Sequence, residues 1–188
     1  MSIILASQSP RRRELLAQMG VPQFEVVPAL GEEIASPGLS SAQLVEVLSR
    51  QKAEEVAVQA GPDDVVIAAD TVVAVDGAVL GKPRDPADAA RMLSLLSGRA
   101  HTVYTGVTVR RGTFSRTAHE ATQVRFRPLT QSEISAYIAT GEPMDKAGAY
   151  GVQGFFARYI KGLKGSYANV MGLPVSRLYQ ELKELNGI

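Results

Sequence analysis

Val65, Val66, Ile67, Ala68 and Ala69 follow one another without a polar residue, a run too short for a helix and with no face suited to water. Runs of this kind belong to strands inside a parallel sheet that helices cover on both sides. The stretch therefore predicts a central strand and an α/β fold. Asp70 and Thr71 interrupt it, and residues 72–75 resume the apolar pattern before Asp76-Gly77, a hairpin turn signal. An ionised carboxylate in such a place needs a cation, donors or water close by. In open α/β sheets ligands gather beyond the carboxyl ends of strands, which is where this reading places Asp70. The plainer alternative is a structural aspartate whose charge is satisfied internally.

The first twenty residues read as strand, loop and helix. Ile3, Ile4 and Leu5 are followed by Ser7, Gln8, Ser9 and Pro10, then by an amphipathic pattern with Leu15, Leu16 and Met19 on one side. Ser9 suits the N-cap, Pro10 the first helical position and Gly20 the stop. Arg11, Arg12 and Arg13 are out of place in a first turn, where the macrodipole is already positive and each cation costs about 0.3–1 kcal/mol. Free N–H groups, serine hydroxyls and guanidinium forks at one helix start make an anion site suited to a polyphosphate. The alternative is a solvated basic face beside Glu14.

Further elements follow in order. Residues 24–27 resemble a second strand, and a polar loop with Glu32 and Glu33 comes next. A helix over residues 41–60 ends at Gly61-Pro62. Leu44, Leu48 and Lys52 share its stripe, so Lys52 either snorkels at the edge or aims its ammonium into a cleft. Lys82 lies between Gly81 and Pro83, a rigid setting, and Asp85-Pro86 starts a helix to about residue 97. Residues 102–110 and 113–127 alternate as an antiparallel pair, with Arg125 and Arg127 on a wet face. Thr130 and Glu133 form a capping-box pattern for a helix to residue 140. Glycines at 148, 151 and 154 imply close backbone approach. Residues 155–160 read as a strand, 165–172 as a loop or short helix, and Pro174 begins an amphipathic helix with Leu178, Leu182 and Leu185.

With 188 residues, 45% hydrophobic and 21% charged, the composition is that of a soluble globular protein of about one domain. A net charge of +1 gives no global case for nucleic-acid or membrane binding. There is no cysteine, so thiolate metal sites, disulfides and cysteine nucleophiles are excluded. No long apolar segment suggests a signal peptide or membrane span, and a cytoplasmic protein is expected. No Gly-x-Ser-x-Gly elbow occurs, and His101 and His119 lack metal-ligand spacing: His119 reads as a surface strand residue and His101 as flanking a strand end. What remains is carboxylates, Asp70 and Glu33, with fixed cations, Arg11, Arg12, Lys52 and Lys82, around small-residue loops. That set suits a phosphate-ester or anhydride enzyme assisted by a divalent ion.

The runs Ser7-Gln8-Ser9-Pro10-Arg11-Arg12, Ala69-Asp70-Thr71-Val72-Val73, Gly81-Lys82-Pro83, Lys146-Ala147-Gly148-Ala149-Tyr150-Gly151-Val152-Gln153-Gly154 and Gly165-Ser166-Tyr167-Ala168-Asn169-Val170-Met171-Gly172 resemble the Maf family of nucleoside triphosphate pyrophosphatases over nearly the whole chain. The resemblance implies one domain with a two-lobed α/β fold, a mixed β-sheet with flanking helices related to the inosine triphosphatases, and a nucleotide cleft between the lobes. It also implies hydrolysis to monophosphate and pyrophosphate with a divalent cation, Mg²⁺ or Mn²⁺. By resemblance, Asp70 is catalytic and a metal ligand with Glu33, and Ser9, Arg12, Lys52 and Lys82 bind substrate. Arg11, Thr71 and Gln153 place the chain on the dTTP/UTP branch, with modified pyrimidine nucleotides as candidate further substrates. The glutamine amide matches the N3–H and O4 edge of uracil or thymine, and also that of adenine. A homodimer is expected, and a nucleotide-binding regulator of septum formation is the alternative function.

Overall fold

The computed structural model describes residues 1–21 and 23–185. Seven strands form one sheet in the order β2 (Glu25–Val26), β1 (Ile3–Leu5), β3 (Val65–Val75), β5 (Ala100–Arg111), β6 (Phe114–Phe126) and β7 (Ile160–Lys164), with β4 (Ala78–Leu80) also paired to β3. β1 is parallel to both β2 and β3, whereas β4 on β3 and β7 on β6 are antiparallel. The helices are α1 (Pro10–Gln18), α2 (Ser41–Ala57), α3 (Pro86–Leu96), α4 (Gln131–Ala139), α5 (Tyr167–Met171) and α6 (Val175–Glu184). The expected mixed α/β class is what the chain adopts.

Two compact units are present. The first comprises, among the described residues, Met1–Asp70, Thr105–Glu120 and residues 172–185. There, Ala53 and Val56 of α2 pack on Ile4 of β1 and on Val66 and Ala68 of β3. Side chains alternate along a strand, so Val66, Ala68 and Asp70 share the face that meets α2. Gly106 is a place where a side chain does not fit: a Cβ there would lie 2.2 Å from the Val45 carbonyl oxygen of α2. The second unit comprises Thr71–Tyr104 and Ala121–Met171. Its core joins Met92, Leu93 and Leu96 of α3 to Ile134 and Tyr137 of α4 and to an aromatic group of Phe126, Tyr150 and Phe156.

Two expectations require correction. β3 is one continuous strand of eleven residues, so Asp70 lies within it rather than beyond its end. Partner exchange along one edge explains why the break in the pattern is not a break in the strand. β1 pairs with residues 65–67, β4 pairs with residues 73–75, and Asp70 falls between the two registers. The strand expected over residues 155–160 is there only at Ile160, where β7 begins; Gly154–Tyr159 form a 3₁₀ turn that leads into it. The three-residue spacing of Phe156 and Tyr159 puts their rings 5.2 Å apart, and Phe156 is buried, so packing overrides the β-propensity of the aromatics.

Candidate active site

The turn after β1 begins the site. Ser9 caps α1, accepting the Arg12 backbone N–H at 3.5 Å, and Pro10 is the first helical residue. The Ser9 N–H donates to Ser7 Oγ at 3.2 Å. The same Oγ accepts Arg12 Nη1 at 3.2 Å, while Arg12 Nε donates to the Gly172 carbonyl at 2.7 Å. Arg12 is thus folded back over its own helix start and partly buried, while Arg13 is exposed. Burial pulls the Arg12 guanidinium below its ordinary value; the negative charges of Asp70 and Glu33 oppose that pull and Arg11 adds to it. Ser7, buried at 7% exposure, was not singled out from the sequence as a site residue, although its place at the end of an apolar strand beside a basic helix start was a usable signal.

α2 delivers Lys52. Its Nζ lies 2.5 Å from Asp70 Oδ1 and 2.8 Å from Glu33 Oε1, with only 18% of the side chain exposed. The ammonium is not left to water at the edge of the stripe but lies between the two carboxylates. Asp70 is 7% exposed, so the ammonium supplies the counter-charge that its burial requires. Glu33 sits on an exposed loop that α2 also fixes. Glu55 accepts the N–H of Leu30 at 2.7 Å and of Gly31 at 3.0 Å, and Gln51 accepts the N–H of Ile34 at 3.1 Å. Gln51, Lys52 and Glu55 occupy one turn of the helix, so one surface of α2 sets both the acid loop and the cation between the acids. Sequence reasoning missed Gln51 and Glu55, whose partners lie 17 and 24–25 residues away.

The donor set is informative. Two carboxylates reach one point, and among the described residues no group of three or more His, Cys, Asp or Glu is arranged to hold a metal. Hard oxygen donors in that number match an ion that keeps waters and takes phosphate oxygens from its substrate. They do not match an all-protein cage.

Thr71, Lys82 and Gln153 belong to the second unit. Thr71 follows Asp70 on β3 and is partly buried. Lys82 is exposed between Gly81 and buried Pro83. The Gly81 carbonyl accepts the Gly148 N–H at 3.0 Å, tying the lysine's segment to the glycine-spaced loop that carries exposed Gln153. Close approach in that loop is as the glycine spacing implied: a Cβ on Gly148 would lie 2.8 Å from Val73 Cγ2. His101 is buried near the start of β5, with Nε2 2.7 Å from the Tyr150 hydroxyl, and burial lowers it to about 4. His119 lies on β6, 2.7 Å from Glu46.

The family model described as Maf-like protein matches residues 2–185. A relative from Agathobacter rectalis named dTTP/UTP pyrophosphatase is 54% identical, the match covering 97% of each chain. Relatives of the same name from Carboxydothermus hydrogenoformans and Symbiobacterium thermophilum are 53% and 52% identical, covering 98% and 97% of this chain and 98% and 93% of theirs. Among solved structures, a HAM1 protein from Coxiella burnetii gives a TM-score of 0.58 at 16% identity, covering 98% of this chain and 99% of that one. The Staphylococcus aureus Ham1 protein gives 0.52 at 13%, covering 99% and 100%. These two likenesses extend to the fold. Among the described residues no helix is long and apolar enough to cross a membrane.

Proposed function

The chain belongs to the Maf family, and on that premise we propose that it hydrolyses dTTP and UTP between the α and β phosphates, releasing nucleoside monophosphate and pyrophosphate. The relatives' names support the substrate pair. The observation that carries the chemistry is the buried Asp70 carboxylate held by Lys52, with Glu33 on the same ammonium.

Asp70 takes a proton from the attacking water, whose oxygen bonds the α-phosphorus. The electron pair of the broken anhydride bond stays with the β-phosphate oxygen, and pyrophosphate leaves. Arg12, Lys52 and the capped start of α1 with Ser9 bind the phosphates and offset the charge gathering on the leaving group. Lys82 adds a cation. Asp70 and Glu33 would hold Mg²⁺ or Mn²⁺, which when bound polarises phosphate oxygens as a Lewis acid. Gln153 presents a donor and an acceptor to the N3–H and O4 edge of the base, and Arg11 and Thr71 accompany it as specificity residues.

A nucleotide panel with Mg²⁺ or Mn²⁺, in which orthophosphate and pyrophosphate are both quantified, tests this reading. Pyrophosphate from dTTP and UTP is expected. Orthophosphate as product would make the protein a broad phosphatase, and tight binding without turnover would favour a regulator of division.

A further inference from the structure

The loop that carries Gln153 is held from below by two residues of another segment. Tyr137 is fully buried in α4, and its hydroxyl accepts the Gly151 N–H at 3.2 Å while donating to Glu142 Oε1 at 3.1 Å. The other oxygen of Glu142 accepts the Phe155 N–H at 3.2 Å. Gly151 and Phe155 stand two residues before and two after Gln153. One hydroxyl–carboxylate pair therefore takes both backbone N–H groups that bracket the glutamine.

The pair is itself fixed. Gly141, at φ +74°, turns the chain after α4 so that Glu142 comes back to Tyr137, and Thr140 Oγ1 accepts the Glu142 N–H at 3.1 Å while donating to the Tyr137 carbonyl at 2.6 Å. Gly154, at φ +81°, leaves room for the carboxylate: a Cβ there would be 2.9 Å from Glu142 Oε2. Burial foremost, and the charge of Glu142 after it, push Tyr137 well above the usual tyrosine range, which keeps its hydroxyl a donor. His101 adds a third strap through Tyr150. Between these ties only Gln153 and Gly154 are exposed.

We propose that Tyr137 and Glu142 are positioning residues for base selection: they fix the Gly151–Phe155 turn and so set the reach of the Gln153 amide. This rests on the reading of Gln153 given above. An amide pairs with thymine and adenine alike, so hydrogen-bond chemistry alone does not separate the two, whereas a backbone held at one distance admits the smaller ring and rejects the larger. A loosened turn surrenders that choice.

The test compares kcat/KM for dTTP and dATP in the wild type, Gln153→Ala, Tyr137→Phe, Glu142→Gln and the Tyr137→Phe/Gln153→Ala double variant, with melting temperatures recorded for each. Both clamp variants are expected to lower the dTTP preference about tenfold, through a raised KM for dTTP at nearly unchanged kcat. The double variant should match Gln153→Ala alone, because the clamp acts through that residue. If Gln153→Ala lowers the preference and neither clamp variant does, whatever their melting temperatures, the clamp is structural and the proposal fails. If Gln153→Ala leaves the preference intact, the base reading fails first and the proposal with it. Should Tyr137→Phe not fold, Glu142→Gln decides.

Discussion

Around Asp70 the side chains that meet out of water carry charge, whereas those that meet around His101 are neutral. Lys52 sits between two carboxylates, and Arg12 is folded onto a serine and a carbonyl. In the second unit His101 meets the Tyr150 hydroxyl among Phe126 and Tyr150 rings at 4.7 and 5.3 Å. An ion pair can exchange its partner for an incoming phosphate or cation at modest cost, because the new partner restores the lost charge. A neutral pair in an aromatic core has no such substitute. The first arrangement suits a site that binds and releases a charged substrate, and the second suits a scaffold.

The contrast breaks most sharply at Asp70. Asp70→Asn is expected to lower kcat by about 10²–10⁴-fold, the range for loss of a general base, while the protein stays folded because Lys52 keeps Glu33. Kinetics alongside nucleotide binding by calorimetry check this; binding lost together with activity would make Asp70 structural. At His101 the expected effect falls on stability. Its folded value of about 4 lies below its ordinary 6.5, so between those values the unfolded chain takes up a proton that the folded one refuses. Stability therefore falls as pH drops through that window, by about 3 kcal/mol for this buried group. Urea midpoints at pH 7 and pH 4 should show a loss in the wild type that His101→Gln largely lacks; equal losses would overturn the assignment. The smallest effect belongs to Glu55, which is exposed and is bonded to the loop backbone at Leu30 and Gly31 rather than to Asp70 or Glu33. Glu55→Gln should loosen the Glu33 loop by about 1 kcal/mol and raise the half-saturating Mg²⁺ concentration a few-fold, with little change in kcat. A titration of activity against Mg²⁺ at saturating dTTP measures it.

Local signals were legible where local physics decides. The Ser9 cap, Pro10 at the start of α1 and the reciprocal Thr130–Glu133 capping box follow from side chains within three residues of one another. The central strand declared itself because both its faces are apolar, and the glycine spacing of the loop at 148–154 announced close contacts. What escaped depends on distant partners. Nothing beside Asp70 reveals that one edge of β3 changes from β1 to β4 there. Phe155, Phe156 and Tyr159 favour strands until an aromatic core packs Tyr159 against the two phenylalanines three and four residues before it. Nothing within the polar loop of Glu32 and Glu33 shows how it is held, because Gln51 and Glu55, which fix it, lie on a helix well along the chain. The motif resemblance named Arg12, Lys52, Asp70 and Glu33 as candidates, but not Ser7, Tyr137 or Glu142, whose hydrogen bonds only the fold creates.

The proposed reaction has a water activated by Asp70 attack the α-phosphorus. Hydrolysis of dTTP in ¹⁸O-water, followed by mass spectrometry of both products, tests that claim most directly. The label is expected in the thymidine monophosphate, with unlabelled pyrophosphate; label in the pyrophosphate would place the attack on the β-phosphorus and contradict it.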